Sequence, residues 1–513
     1  MPTALEIHPA IGIARLGPSP EFFLAPEPGV APPDRYRDPA GLLKRQAARF
    51  RVFRVQRDAT GAVEEFSEVD PRKATITWTV EVANRKAAAP SFAINPGRRR
   101  NDATGDDIAD ADLLITPSMQ RVTGPGAVAN FDDGRFRGRV VSLGEIRTDA
   151  MGNLLVLGSQ ENSGFVTPGG GTPPIGGGGP NSGFADNDDW YDTVADGTVR
   201  ARVTFPNTDG FEDATPAWVI AAPPDFAPEI ANAISLYDVT LEAASARGFY
   251  AVPSRPSFER DIRPIFDAAA GYAWVTALAR GGHGGNSPGN LPLRYAALAD
   301  PAGPVAIRDR IFRRFRVPAG FPPVTPTGPL MPRLYDETNN SAKVLTFTSV
   351  QYKKLVRWRD GTFTNDLNNP PAESLPDALD RIALQSTAGG AFFPGIEASR
   401  VLADPAIYLA RGRIDLARVR PGGVTAGMAV PWQSDFHKCR RGSALGWWPA
   451  QRPDDVFTDV DHTQPADMVR WLNEAVVDHL KLVATWAGQG VVRSARNAAG
   501  ETVFVETERV NPR

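Results

Sequence analysis

The chain has 513 residues, a formal net charge of -3 from 56 basic and 59 acidic side chains, and a hydrophobic content of 42%. That near-neutral balance gives no electrostatic reason to expect a nucleic acid or an anionic membrane as partner, and no run reaches the roughly 18 apolar residues that cross a bilayer. A single cysteine excludes an intrachain disulfide, and five histidines with no pair at helical ligand spacing argue against a metal enzyme.

The N-terminal "MPTALEIHPAIGIARLG" lacks the basic and then apolar run of a Sec signal peptide, so a cytoplasmic location is expected, with export by another route left open. "ATITWTVEV" (Ala74 to Val82) alternates with period two and predicts a strand; Leu154 to Leu157 predicts another after a turn at Gly152 and Asn153. Arg98, Arg99 and Arg100 stand beside Asp102, Asp106 and Asp107 and read as a solvated loop. The tract "TPGGGTPPIGGGGPNSG" (Thr167 to Gly183) cannot be a regular element and reads as a flexible loop between subdomains. No GKS or GKT follows it to cradle a phosphate. "TVRARVTF" (Thr198 to Phe205) alternates again, and "AWVIAAPPDFAP" reads as a buried strand ended by prolines.

Helical patterns follow. Ser257 to Ala279 predicts a helix broken or kinked at Pro264. Ser349 to Gly361 predicts another, with Ser349 as N-cap and glycine beyond its end. From Pro465 to Gly488, a stripe of Met468, Leu472, Val476, Leu480 and Val483 predicts one long helix. Thr502 to Val510 predicts a last strand. The expected class is α+β: a β-rich region 1–166, the loop 167–183, a β-rich continuation 184–256, and a mixed region 257–513 that carries the chemistry.

That chemistry centres on "PWQSDFHKCRRGSALGWWPAQRPDD" (Pro431 to Asp455). Asp435 stands four residues before Cys439, which places both on one face of a helical turn. Trp447 and Trp448 follow the cysteine by eight and nine positions. One reading is a small buried hydrophobe beside a packing cluster. The other joins thiol, indole and carboxylate: a sulfur bonded to an oxidised indole makes an electrophilic quinone from the chain itself. Such a group needs neither a metal nor a dinucleotide fold, and no GxGxxG occurs.

At these residues the chain resembles the LodA-like family of cysteine tryptophylquinone enzymes, which includes L-lysine 6-oxidase and glycine oxidase. The resembling segments are Ile7 to Glu27, Lys44 to Phe53, Asp186 to Val199, Gly389 to Glu397 and Pro431 to Cys439, in family order. The resemblance implies that Cys439 is the cross-linked cysteine and that Asp435 assists cofactor formation and is a candidate base. It implies a modified tryptophan within "GWWPAQRPDD". Trp448 is preferred to Trp447 because it directly precedes the rigid Pro449. Phe392, Phe393 and His437 lie near matching motifs and read as packing or surface residues.

The implied reaction is oxidative deamination of a primary amine or amino acid. The amine condenses with a quinone carbonyl, and a base removes the proton beside nitrogen. Hydrolysis and reoxidation by O2 then release an aldehyde or oxo acid, ammonia and hydrogen peroxide. Burial beside indoles is expected to raise the Asp435 carboxyl. Since no side chain inserts oxygen into indole, the resemblance also implies a flavin-dependent maturation partner. Alternatives are a catalytically silent binding or structural relative, and an amine dehydrogenase that passes electrons to a protein acceptor. The segment between Cys439 and Trp447 is compressed to seven residues. It is shorter than in the family's oxidases, so the substrate and a homo-oligomeric state do not transfer.

Overall fold

A computed structural model describes residues 3–58, 61–91, 99–101, 110–176, 185–206, 210–334, 345–389, 396–438, 448–472 and 479–512. Its centre is a 13-stranded sheet, and the main path runs Gln120–Thr123, Thr75–Ala83, Ala195–Thr204, Ala217–Ala222, Ile11–Arg15, Arg45–Arg57, Leu154–Leu157, Glu145–Thr148 and Val128–Asn130. Neighbours on this path are antiparallel, except that Ala217–Ala222 runs parallel to Ile11–Arg15 with Ile220 opposite Ile13. The period-two strands form where expected. Ile76, Trp78, Val80 and Val82 bury one face and share a core with Phe50, Ile146, Leu154 and Val199.

The other face carries Ile11, Ile13, Trp218 and Ile220, which pack on Leu236 and Ala243 of the helix Leu236–Ala246 and on Leu402 and Tyr408. Ala217–Ala222 is therefore buried at all six positions, as a central strand covered on both sides should be. Gly197 lets its strand approach the next: a Cβ there would lie 1.8 Å from the Glu81 carbonyl oxygen.

Helices dominate later in the chain, which makes the class α+β. The pattern from Ser257 divides into a π-helical turn Phe258–Ile262, the helix Arg263–Gly271, a 3₁₀ turn Tyr272–Trp274 and the helix Ala277–His283. Pro264 opens the second of these, where its missing N–H costs nothing. The N-cap of Ser349–Arg359 is Thr348 rather than Ser349. Its hydroxyl accepts from the Gln351 N–H, and the Gln351 side chain returns a bond to the Thr348 N–H. Among the described residues, no helix is long and apolar enough to cross a membrane.

Three expectations need correction. The long helix from Pro465 does not form: Pro465–Asp467 is a single 3₁₀ turn, Val469–Arg470 is a strand, and among the described residues of this stretch only His479–Thr485 is α-helical. Val469 pairs with Val456, and Met468 packs on Phe457, Val503 and Val505, so tertiary partners override the apolar period. Val476 lies outside the described residues.

Arg100 is not solvated. It is buried, with Nε donating to Asp186 Oδ1 at 2.7 Å and Nη1 donating to the Lys86 carbonyl at 2.9 Å. Arg98, Asp102, Asp106 and Asp107 lie outside the described residues. Finally, the described part of the Gly/Pro tract, 167–176, has no regular element, as expected, and is exposed at 168–172, but its last residues are docked. Ile175 packs against Trp190, Val430 and Val483, and Gly176, at a φ of +78°, lies against the His479 ring.

Candidate active site

Asp435 sits on the helix Trp432–Lys438. Distant groups hold it at both ends. At its start, Asp192 Oδ2 accepts from the Trp432 N–H at 2.9 Å and from Lys86 Nζ at 2.8 Å. Asp192 Oδ1 accepts from Asn84 Nδ2 at 2.9 Å, and Lys86 Nζ donates again to the Ala429 carbonyl at 3.0 Å. Both Lys86 and Asp192 have fully buried side chains. Burial pulls the Lys86 ammonium below the usual lysine range, while Asp192 and then Asp435 act against that fall.

Asn187 Nδ2 donates to the Val430 carbonyl at 2.8 Å, and Ser163 donates to Gln433 Oε1 at 2.8 Å. At the far end, Arg452 Nε donates to the Phe436 carbonyl at 2.6 Å, and its Nη1 meets Asp454 at 2.9 Å. Arg452 closes a turn, its N–H donating to the Pro449 carbonyl at 3.1 Å. One buried guanidinium thus ties the Asp435 helix to the segment that begins at the half-buried Trp448. Cys439 and Trp447 lie outside the described residues, as do Phe392 and Phe393. His437 is a buried packing residue, with its ring centroid 3.8 Å from that of His479.

Asp435 faces a narrow void lined by Pro223, Ile396, Met428, Ala429, Trp432 and Phe436. Its walls are mostly apolar, and the Trp432 ring is fixed edge-on to Phe436 at 4.9 Å and Trp486 at 5.2 Å. A separate cavity of about 710 Å³ is lined by Asn232, Tyr237, Tyr250, Lys354 and Arg411. Among the described residues, the buried donors that find no acceptor include Gln433 Nε2, Gln451 Nε2 and Trp190 Nε1.

Next to Ile396, Glu397 is fully buried and meets Arg15 through both oxygens at 2.9 Å, and Arg15 also faces Asp225 at 3.6 Å. Burial outweighs a guanidinium shared between two carboxylates, so Glu397 is pushed up to about 7 and Asp225 is raised as well. Glu397 therefore holds a proton in the folded state, between 4.5 and about 7, that it releases when unfolded. This contribution to stability is lost as pH rises through that window. Glu397→Gln mimics the protonated acid and escapes the loss. Relative to the parent, its stability is expected to rise by roughly 2–3 kcal/mol between about pH 5 and 8. Thermal melts across that range check this, and a flat difference would contradict it.

Of the residues the sequence singled out, Asp435 and Trp448 are brought onto one fastened unit. Lys86 and Arg452 were missed. Asp192 lay within a resembling segment but had no assigned role, because its signal is the meeting of residues more than 200 positions apart.

Two family profiles match the chain: the L-lysine ε-oxidase N-terminal region over residues 8–221, and the L-lysine ε-oxidase C-terminal domain over residues 331–471. The L-lysine 6-oxidase of Marinomonas mediterranea is 28% identical across 546 aligned positions, which cover 85% of this chain and 71% of that protein. The solved structure of the ε-lysine oxidase from the same organism superposes with a TM-score of 0.78 at 24% identity, covering 99% of this chain and 95% of that one. A structure of the Schiff base intermediate of that organism's L-Lys ε-oxidase with L-Lys gives 0.75 at 23% identity over the same shares. With its α+β fold and both halves matched, the chain belongs to the L-lysine ε-oxidase, or LodA-like, family.

Proposed function

We propose that this chain is an amine or amino-acid oxidase that deaminates a primary amine with dioxygen. Carbonyl compound, ammonia and hydrogen peroxide are the products. The cofactor is a cysteine tryptophylquinone made from Cys439 and Trp448, with Trp447 as second choice. The observation that carries this reading is the carboxylate of Asp435 in a narrow, mostly apolar void, on a helix that Arg452 ties directly to the Trp448 segment.

The surroundings suit such a group. Two added oxygens on an indole would offer acceptors where buried amide donors at Gln433 and Gln451 have none. When formed, the quinone supplies an electrophilic carbonyl and takes up two electrons. The chain's own residues do the rest. Asp435 accepts the proton from the carbon beside the substrate nitrogen, and Pro223, Ile396 and Phe436 put apolar walls around it. Asp192 and Lys86 fix the helix that aims it. No side chain supplies the oxidant for cofactor assembly, so a separate flavin-dependent protein belongs to the proposal.

The test is the intact mass of protein produced with its native neighbours. The expected result is a gain of two oxygen atoms and a loss of four hydrogens relative to the encoded chain. Peroxide release on addition of lysine, glycine or another primary amine completes it. A mass equal to the encoded chain would point to a catalytically silent relative. The mass gain without peroxide would point to a dehydrogenase with a protein acceptor.

A further inference from the structure

Gln451 stands three residues after Trp448, is 1% exposed, and lies in the turn 449–452. Its neighbours fix which way its amide points. One side-chain atom of Asn232 receives the Ala450 backbone N–H at 2.9 Å and the Tyr272 hydroxyl at 2.9 Å. A backbone N–H only donates, so that atom is the Asn232 oxygen. The other Asn232 atom is then the nitrogen, and it donates at 2.9 Å to Gln451. The Gln451 atom it reaches must be the oxygen, which leaves Nε2 as the unpaired end. The backbone is fastened as well, because the Gln451 carbonyl accepts from the Phe226 N–H at 3.0 Å.

A buried amide N–H without an acceptor costs about 1–3 kcal/mol, and native proteins seldom keep one without a reason. Here the Tyr272–Asn232 pair holds the donor in place instead of letting it turn toward a partner. Three residues span at most about 11 Å when fully extended, and the turn shortens that distance to within reach of an indole and a glutamine side chain together. We propose that Gln451 Nε2 donates a hydrogen bond to an oxygen carried by the modified Trp448, with Asn232 and Tyr272 as the residues that orient it. This rests on the quinone reading above. A donor at that oxygen favours the reduced form, whose oxygen carries more negative charge. Gln451 thus raises the readiness of the cofactor to accept electrons from an amine.

The test uses full-length parent, Gln451→Glu and Gln451→Met, each produced with the native maturation partner. Intact mass reports the modification, and a dithionite titration followed by visible absorbance reports the midpoint. Glu keeps an oxygen for Asn232 and loses the donor, while Met loses both. Variants that carry the mass gain are expected to show a shifted quinone band. Their midpoint falls by a tenfold change in equilibrium constant, about 30 mV for a two-electron couple. Variants that fold with the parent's circular dichroism but gain no mass would overturn the proposal, assigning Gln451 to cofactor assembly instead of to the finished quinone. A parental band and midpoint in both variants would overturn it, and so would failure of both to fold, which would assign Gln451 to structure alone. A parent without the mass gain would instead sink the quinone reading itself.

Discussion

Asp435→Asn is expected to lower turnover by about two to four powers of ten while leaving the fold intact. Asparagine has nearly the same shape, and the helix is fastened through backbone groups of Trp432 and Phe436 that the substitution leaves in place. What the substitution removes is the ability to take a proton among mostly apolar walls. The measurement is single-turnover reduction of the cofactor by a primary amine, in protein whose mass shows that the quinone formed. Full quinone together with full turnover would remove Asp435 from the base role. Loss of the quinone alone would assign it to assembly.

Asp192→Ala should show the largest loss of stability. It strips the acceptor from Trp432 N–H, leaves Asn84 Nδ2 only the residue-192 backbone carbonyl, and leaves the Lys86 ammonium buried with only the Ala429 carbonyl among its hydrogen-bond partners described above. Removing one member of a buried ion pair costs about 3–5 kcal/mol, because the remaining charge is uncompensated. Lys86→Met combined with Asp192→Leu should cost less than the two single changes together, since no charge is then stranded. Denaturation of the unmodified precursor, made without the maturation partner, isolates this effect from the cofactor. Single variants within 1 kcal/mol of the parent, or a fully additive double, would show that the pair is not what anchors the helix.

Strands were legible wherever one face is buried, because alternation survives in the letters: Ile76, Trp78, Val80 and Val82 announce their sheet. The C-terminal stripe deceived because a helical period records only spacing. Met468 and Leu480 fit one stripe, yet Val469 is engaged by Val456 and Trp471 donates to the Gly490 carbonyl. Arg100 deceived for a related reason. Charged letters in a row look solvated until a carboxylate 86 positions away is found to meet one of them. At the site, the resemblance pointed to Asp435 and Trp448 but not to what unites them. Arg452 bonds to a backbone carbonyl, a partner that every residue possesses and no sequence pattern marks.

The bond from Trp432 to Asp192 spans 240 positions, while Lys86 and Asp192 are only 106 apart. Joining ends so far apart carries an entropy cost that the contacts made there must offset. The lysine–aspartate socket belongs wholly to chain that leaves the ribosome long before residue 432 is made. The acid's position thus depends on two groups that are already synthesised when its own segment emerges.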